Sequence, residues 1–198
     1  MKGEARCGWS LGSESMRDYH DREWGFPNGD DVTLFEKINL EGFQSGLSWK
    51  TVLDKRVDFR RVFHGFDPER VARMRERDVV RLLGDASIIR HRGKIESTIN
   101  NARRCLELIE EKGSLAAHIW SFEPPRRRVA PTTAEVSTFV TSPESVALSK
   151  DLKKRGWSFV GPTTMYAFMQ SMGLVNDHDE GCHVGPVAEK ARKHFRID

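Results

Sequence analysis

Apolar residues recur every three or four positions along most of this 198-residue chain, which is the spacing of one helical face. The clearest run covers 93–112 and is followed by Gly113, a residue type that commonly ends helices. Its apolar positions are Ile95, Ile99, Ala102, Leu106 and Ile109. No alternation typical of a strand exceeds a few residues, and no repeat is present. The pattern predicts an all-α fold built from short helices.

Capping residues place the starts of several of these helices. An aspartate opens the segment DDVTLFEKINLEGF, residues 30–43, whose apolar residues keep helical spacing. Residues 47–63 follow with further core candidates, including Val52 and Phe63. Asp67 and Pro68 have the residue types of an N-cap and first helical position, so they predict another helix start.

Residues 123–143 hold four of the eight prolines and show no helical periodicity. Helical sequence resumes directly afterwards, so we interpret about 123–142 as a variable surface loop within a domain. The whole chain, 1–198, is therefore predicted to be a single domain.

Two amphipathic helices joined by a glycine-bounded hairpin are predicted over about 145–172. Pro162 opens the second helix, whose first backbone N–H groups have no helical acceptor and can bind a phosphate. A plain pair of packed helices is the alternative. The residues that would face a phosphate are Lys154, Arg155, Gly161, Thr163 and Thr164.

The charge balance changes this picture only slightly. The net charge of +3 is mild, but basic residues cluster, for example in IIRHRGK at 88–94 and KDLKKRG at 150–156. Such clusters create a positive face, as nucleic-acid-binding proteins do, although solvated helix ends are the alternative. No apolar run approaches the ~20 residues of a membrane span, and no secretory signal is visible, so a cytoplasmic protein without membrane contact is expected.

Three cysteines, an odd and low number, argue against a disulfide framework. Cys105 lies on the apolar side of the 93–112 helix and is predicted to be buried. Cys7 and Cys182 lie near opposite ends of the chain, each with histidines close by.

Two cysteines and two histidines suit a tetrahedral zinc ion, and Cys7, His20, His178 and Cys182 are the candidate set. Spacing alone favours this weakly, because twelve residues between Cys7 and His20 is not a standard finger pattern. His183 competes with His178 as a ligand, and a Cys7–Cys182 disulfide is the covalent alternative.

Six ordered motifs carry a family resemblance from about Cys7 to Cys182: CGWS, YHDREWG, LFEKINLEGFQSGLSWKTVL, IIRHRGKIESTINNAR, LKKRGWSFVGPT and GLVNDHDEGC. Together they resemble the 3-methyladenine DNA glycosylase I family of the helix-hairpin-helix superfamily. The resemblance implies a monomeric, monofunctional enzyme that hydrolyses the N-glycosidic bond of 3-methyladenine in alkylated double-stranded DNA. It also implies a structural zinc ion at the four matching positions, joining the N- and C-terminal segments.

The resemblance assigns roles within a base pocket. Glu41 would accept hydrogen bonds from the base and favour its positive ring, and is the predicted catalytic residue. The aromatic residues would stack on that flat cation, and they are Tyr19, Trp24 and Trp49. Met16 stands where relatives often carry a second tyrosine.

The loop SGLSW, 45–49, resembles the segment that enters the gap left by an extruded base. Gly46 and Leu47 are its predicted DNA contacts, with core packing as the alternative for Leu47. Asp177 is predicted to be structural, because the family lacks the aspartate that activates water in other helix-hairpin-helix glycosylases.

Two other classes remain open from the sequence. A non-catalytic DNA-binding module would keep the basic hairpin without needing Glu41 in an aromatic pocket. A small-molecule zinc enzyme would need an open metal site and no affinity for DNA.

Overall fold

The computed structural model describes residues 5–197, and its regular structure over that range is entirely helical. This confirms the predicted all-α class. None of the described helices is long and apolar enough to cross a membrane. The α-helices in this range are α1 (Glu14–Arg22), α2 (Asp31–Gln44), α3 (Trp49–Leu53), α4 (Arg56–Val62), α5 (Pro68–Ala72), α6 (Glu76–Leu83), α7 (Arg92–Lys112), α8 (Leu115–Trp120), α9 (Thr133–Val136), α10 (Pro143–Lys154), α11 (Pro162–Ser171) and α12 (Gly185–His194).

The capping residues act as the sequence predicts. The Asp30 side chain accepts a hydrogen bond from the Thr33 N–H at the start of α2. Asp67 caps α5, whose first residue is Pro68. Gly113 ends α7 with φ of 86°. The segment 47–63, by contrast, is broken into α3 and α4.

The core centres on α2 and α7. In α2, Phe35 and Leu40 are completely buried although they lie on different sides of the helix, because other helices pack around it. In α7, Cys105 is completely buried as predicted, and so is Leu108. The predicted core positions Leu106 and Ile109 are only half-buried, because α7 packs against α5, α6 and α8 and its buried face differs from the expected one.

The variable segment is less irregular than predicted. It contains α9, which begins with a capping box between Thr132 and Glu135. The Glu180 N–H donates to the Pro131 carbonyl at 2.7 Å, which ties this segment to the C-terminal part of the chain. One helical turn, α9, therefore lies within the predicted surface loop.

A small second core joins the two ends of the described chain. It consists of Cys7, Tyr19, Trp24, Cys182 and Val184, all buried. Helix α12, which the apolar pattern of the sequence does not predict, supports this region from the C-terminal side. Cys7 is therefore brought together with Cys182 and Val184 beside α1, where the candidate site lies.

Candidate active site

A cavity of about 270 Å³ lies against α1, α2, α3 and α11. This is close to the lower end of the ~300–1,000 Å³ typical of small-ligand pockets. All four residues that the sequence predicts for the base pocket line it: Tyr19, Trp24, Glu41 and Trp49. The other lining residues are Trp9, Met16, Gln44, Val136 of α9, Ala167 and Gln170.

The cavity walls are aromatic. The rings of Tyr19 and Trp49 lie 5.2 Å apart between centroids, and those of Trp9 and Trp24 lie 5.1 Å apart. Trp9, which is 37% exposed, was not predicted as a site residue. Its only sequence signal is its place in the CGWS motif. These rings offer flat π faces to a ligand of matching shape.

Glu41 supplies the negative charge in this aromatic surrounding. Its side chain is 5% exposed, and Oε1 lies 2.9 Å from the Lys37 ammonium. The second carboxylate oxygen has no hydrogen-bond partner among residues 5–197. A buried carboxylate with a free oxygen favours a positively charged ligand.

Tyr19 remains a neutral hydroxyl in this environment. Burial, and after it the charge of Glu41, raises the pKa of Tyr19 well above its ordinary value. Its hydroxyl oxygen accepts a hydrogen bond from Lys37 at 2.5 Å. The hydroxyl hydrogen of Tyr19 is thus available for a further acceptor.

The loop between α2 and α3 extends from the edge of this cavity. Gly46 has φ of +79°, a left-handed conformation that suits glycine. Leu47 is 43% exposed, so it does not pack in the core. Lys94 anchors the loop by donating from Nζ to the carbonyls of Phe43 (2.8 Å) and Ser45 (2.6 Å).

Cys7, His20 and Cys182 form a buried group whose ligand atoms all lie within 4.8 Å of one another. His20 Nε2 is 3.4 Å from Cys182 Sγ. On the other side of the ring, Nδ1 is 2.8 Å from Asp21, which Arg6 holds in turn. Metal-bound histidines commonly make such a contact with a carboxylate through the ring nitrogen that does not bind the metal. Here the contact of Nδ1 with Asp21 leaves Nε2 as the nitrogen that can bind a metal ion. The group is therefore a possible metal-binding site.

His178 lies beside that group but outside it. Its ring centroid is 5.1 Å from that of His20, and its Nδ1 is 2.8 Å from the Asn176 oxygen. Its Nε2 is buried without a hydrogen-bond partner, and burial lowers the pKa of His178 to about 3. A neutral buried histidine with an unpaired nitrogen fits a metal ligand. Gly25 makes room for the ring, since a Cβ there would lie 2.6 Å from His178 Cε1.

The two alternatives to this ligand set are His183 in place of His178 and a disulfide between Cys7 and Cys182. The ring of His183 is 6.4 Å from that of His20, and its Nδ1 is 2.9 Å from the Ala5 carbonyl. Cys7 and Cys182 are free thiols rather than a disulfide. Burial raises the pKa of the Cys7 thiol above its ordinary range.

Helices α10 and α11 pack together and are joined by a short connection, 155–161. Gly161 is the N-cap of α11 and gives no side-chain hydrogen bond, so the first N–H groups are left for another acceptor. Lys154 and Thr163 are exposed there, and Thr164 is half-buried. Arg155 was expected to face a phosphate, but its guanidinium instead forms ion pairs with Glu111 and Asp151.

Two basic side chains of the motif 88–94 bind other groups of the protein itself. Arg92 pairs with Glu76 and Glu96, and Lys94 holds the loop after α2. Of its basic side chains, Arg90 remains exposed without an ion pair in the described part of the chain.

Asp177 lies in a buried network rather than in the cavity. It is 1% exposed and accepts hydrogen bonds from Tyr166 at 2.8 Å and Gln170 at 2.9 Å, in addition to an ion pair with Arg127. These contacts join the variable segment to α11 and occupy both carboxylate oxygens. A larger cavity of about 560 Å³ lies under the segment 124–130. Its lining includes four arginines, Tyr166 and the candidate metal residues His178 and Cys182.

The chain is also similar to known proteins. The family model described as methyladenine glycosylase matches residues 9–185. The chain belongs to the methyladenine glycosylase family.

Known 3-methyladenine DNA glycosylases are similar to this chain over nearly their whole length. DNA-3-methyladenine glycosylase 1 of Escherichia coli is 51% identical over 179 residues, covering 89% of this chain and 95% of the relative. A crystal structure of 3-methyladenine DNA glycosylase I is similar with a TM-score of 0.85 and 49% identity, covering 90% of this chain and 98% of that one. The enzyme of Staphylococcus aureus, whose structure concerns recognition of 3-methyladenine, is similar with a TM-score of 0.86 and 32% identity, covering 91% of this chain and 96% of that one. The family resemblance predicted from the motifs is thus confirmed.

Proposed function

We propose that this chain is a monofunctional DNA glycosylase that releases 3-methyladenine from alkylated DNA by hydrolysing the N-glycosidic bond. The observation that carries the proposal is the buried Glu41 carboxylate, which faces a cavity walled by Tyr19, Trp24 and Trp49. Membership of the methyladenine glycosylase family supports it. A module that only binds DNA has no need of a buried carboxylate in an aromatic cavity.

The chemistry of the substrate explains why so few groups are required. Methylation at N3 gives adenine a positive charge, so the base is already a good leaving group. When the glycosidic bond breaks, its electron pair goes to the ring and neutralises it. Water adds to the sugar carbon and releases one proton to solvent. The protein has to extrude the base, bind its positive ring and exclude neutral adenine.

Within the cavity, we assign each of these tasks to a residue. Trp49 and Tyr19 stack on the flat cation, and Trp24 closes the aromatic wall. Glu41 accepts a hydrogen bond from the base through the oxygen that Lys37 does not hold. A neutral adenine gains less from this carboxylate than a cation does, so charge provides the selectivity against undamaged adenine.

The metal group is proposed to hold a structural zinc ion through Cys7, His20, His178 and Cys182. The buried, unpaired Nε2 of His178 supports its place as the fourth ligand. Zinc bound by four protein ligands supplies structural stability and leaves no position for a reacting water. Trp24, whose ring is 4.7 Å from that of His178, connects this site with the base cavity.

DNA contact is proposed for the loop after α2 and for the start of α11. Leu47 would fill the gap left by the base, while Gly46 gives the loop its turn. Gly161, Thr163, Thr164 and Lys154 would bind the phosphate backbone; Arg155, held by two carboxylates, would contribute only long-range charge. One chain acting as a monomer suffices for this arrangement.

Replacement of Leu47 by alanine tests the gap-filling role. We expect kcat/KM on methylated duplex DNA to fall about fivefold to tenfold, because part of the stacking lost on extrusion is no longer offset. Unfolding stability should change by less than about 0.5 kcal/mol, since the side chain is exposed. Val80→Ala, at another exposed apolar residue, is the matched control. An equal loss with both variants, or none with Leu47→Ala, would contradict the role.

Asp177→Asn tests whether Asp177 is structural. We expect the free energy of unfolding to fall by about 1–3 kcal/mol, because buried hydrogen bonds to a charged group are weakened. Arg127 is 41% exposed and can be hydrated, which limits the loss. Denaturant unfolding measures the stability, and base release by the folded fraction measures activity. A large fall in kcat without a change in stability would instead make Asp177 a catalytic group.

An assay for abasic sites tests the reaction class. The protein is incubated with methylated duplex DNA, and strand breaks are measured with and without alkaline treatment. A monofunctional enzyme should give breaks only after alkali, because no lysine attacks the sugar. Breaks without alkali would indicate a lyase, and no abasic sites would refute the proposed function.

A further inference from the structure

Lys37 is a buried lysine that the sequence pattern places on α2, one helical turn before Glu41. It is 4% exposed and lies behind the wall of the base cavity rather than among its lining residues. Its Nζ is 2.9 Å from Glu41 Oε1 and 2.5 Å from the Tyr19 hydroxyl. It also lies 3.3 Å from the centroid of the Trp49 ring.

An ammonium group has three N–H donors, and these three neighbours account for them. Each neighbour lines the cavity and has a proposed part in binding the base. Burying a charge is costly unless it is paired, and here the Glu41 carboxylate and the electron-rich face of Trp49 offset that cost. No other lysine in the described range forms a hydrogen bond, ion pair or cation–π contact with more than one of these three residues.

We propose that Lys37 is a positioning residue of the base pocket, whose ammonium holds Glu41, Tyr19 and Trp49 together in the arrangement that receives the cationic base. The proposal rests on the proposed glycosylase function. Lys37 does not touch the cavity, so it acts through its three neighbours.

The charge of Lys37 requires an explanation, because a cation beside a site for a cationic ligand is unfavourable by itself. The ion pair with Glu41 Oε1 matches that charge and fixes the rotation of the carboxylate, leaving the other oxygen for the base. Donation to the Tyr19 oxygen likewise leaves the tyrosine hydrogen for another acceptor. The ammonium lies 3.3 Å from the Trp49 ring centroid and so covers one face of the ring, which leaves the other face for stacking on the base. Lys37 therefore orients all three groups without entering the pocket.

This contact should make activity depend on pH. Glu41 and Tyr19 touch the ammonium, and the charges of Glu23 and Arg56 also face it. Burial, only partly opposed by Glu41, lowers the pKa of Lys37 to about 8. The ammonium is present below that pH and is lost as the pH rises through it. The expected consequence is a fall in kcat/KM with a midpoint near pH 8.

The test is the variant Lys37→Met, which keeps the length of the side chain but removes its charge and donors. In the full-length, zinc-loaded protein, we expect kcat/KM for 3-methyladenine release from methylated duplex DNA to fall about tenfold or more. The alkaline fall seen with the wild type should be absent from the variant. Lys112→Met, at an exposed lysine at the end of α7, should keep both the rate and the pH profile of the wild type.

A folded Lys37→Met variant with wild-type kcat/KM, or with the same alkaline fall, would overturn the proposal. If circular dichroism shows that this variant does not fold, Tyr19→Phe provides the second test. It removes one acceptor of the ammonium, so the alkaline midpoint should move to lower pH, whatever the loss of rate. An unmoved midpoint would overturn the proposal. Absence of base release by the wild type would instead refute the proposed function itself.

Discussion

Glu41→Gln should lower kcat/KM for release of 3-methyladenine by about tenfold to a hundredfold. The variant replaces a carboxylate by a neutral amide of the same shape, so the hydrogen bond to a cationic base loses its charge. Charge-assisted hydrogen bonds contribute roughly 1.5–3 kcal/mol, about twice a neutral one. Chromatography of released bases, combined with a DNA-binding titration, measures the effect.

Selectivity should change with the rate. The preference for the methylated base should decline, because the amide no longer favours a cation. The affinity for undamaged duplex DNA should stay at the wild-type level. Glu36→Gln is the matched control, since Glu36 lies on the same helix at 7% exposure and pairs with Arg60 outside the cavity. DNA binding that fell in parallel with activity would mean that Glu41 has a structural role instead.

The second large effect is expected for Cys182→Ser. Removal of one thiolate should leave less than one zinc ion per chain and lower the free energy of unfolding by at least about 3 kcal/mol, because binding energy at structural zinc sites is folding energy. Elemental analysis of the purified protein and denaturant unfolding measure the two effects.

Cys105→Ser separates metal loss from general core damage. Cys105 is completely buried in the main core and lies outside the group of metal-binding candidates. Its replacement should lower stability but leave one zinc ion per chain. Full zinc content in Cys182→Ser would refute the ligand assignment, and full content in His178→Ala but not in His183→Ala would replace His178 by its competitor.

Local signals predicted much of the fold. Caps such as Asp30 and Asp67 act within one helical turn, so the sequence alone identifies the helices that they begin. Burial on α7 was harder to predict, because packing on several sides buries Leu108 rather than Leu106. Helix α12 was missed because the tail carries few apolar residues.

Some residues of the candidate site could be predicted from the sequence, and others only from the fold. The pocket residues came from family motifs, and the structure brings Tyr19, Glu41 and Trp49 to one cavity. Lys37 was missed, because a lysine on a helix is ordinarily exposed and only tertiary packing places it between these residues. Cys7 and Cys182 are 175 positions apart, and the fold rather than their spacing brings them together.

The identity of the bases released from methylated duplex DNA tests the central claim most directly. The purified protein is incubated with DNA treated with a methylating agent, and the free bases are separated by chromatography beside a sample without enzyme. A dominant 3-methyladenine peak with little 7-methylguanine is the predicted result. Both methylated bases are cations, so charge separates 3-methyladenine only from undamaged adenine, and low release of 7-methylguanine depends on the shape of the cavity. Release of no base by folded, zinc-loaded protein, or of 7-methylguanine in equal measure, would contradict the account.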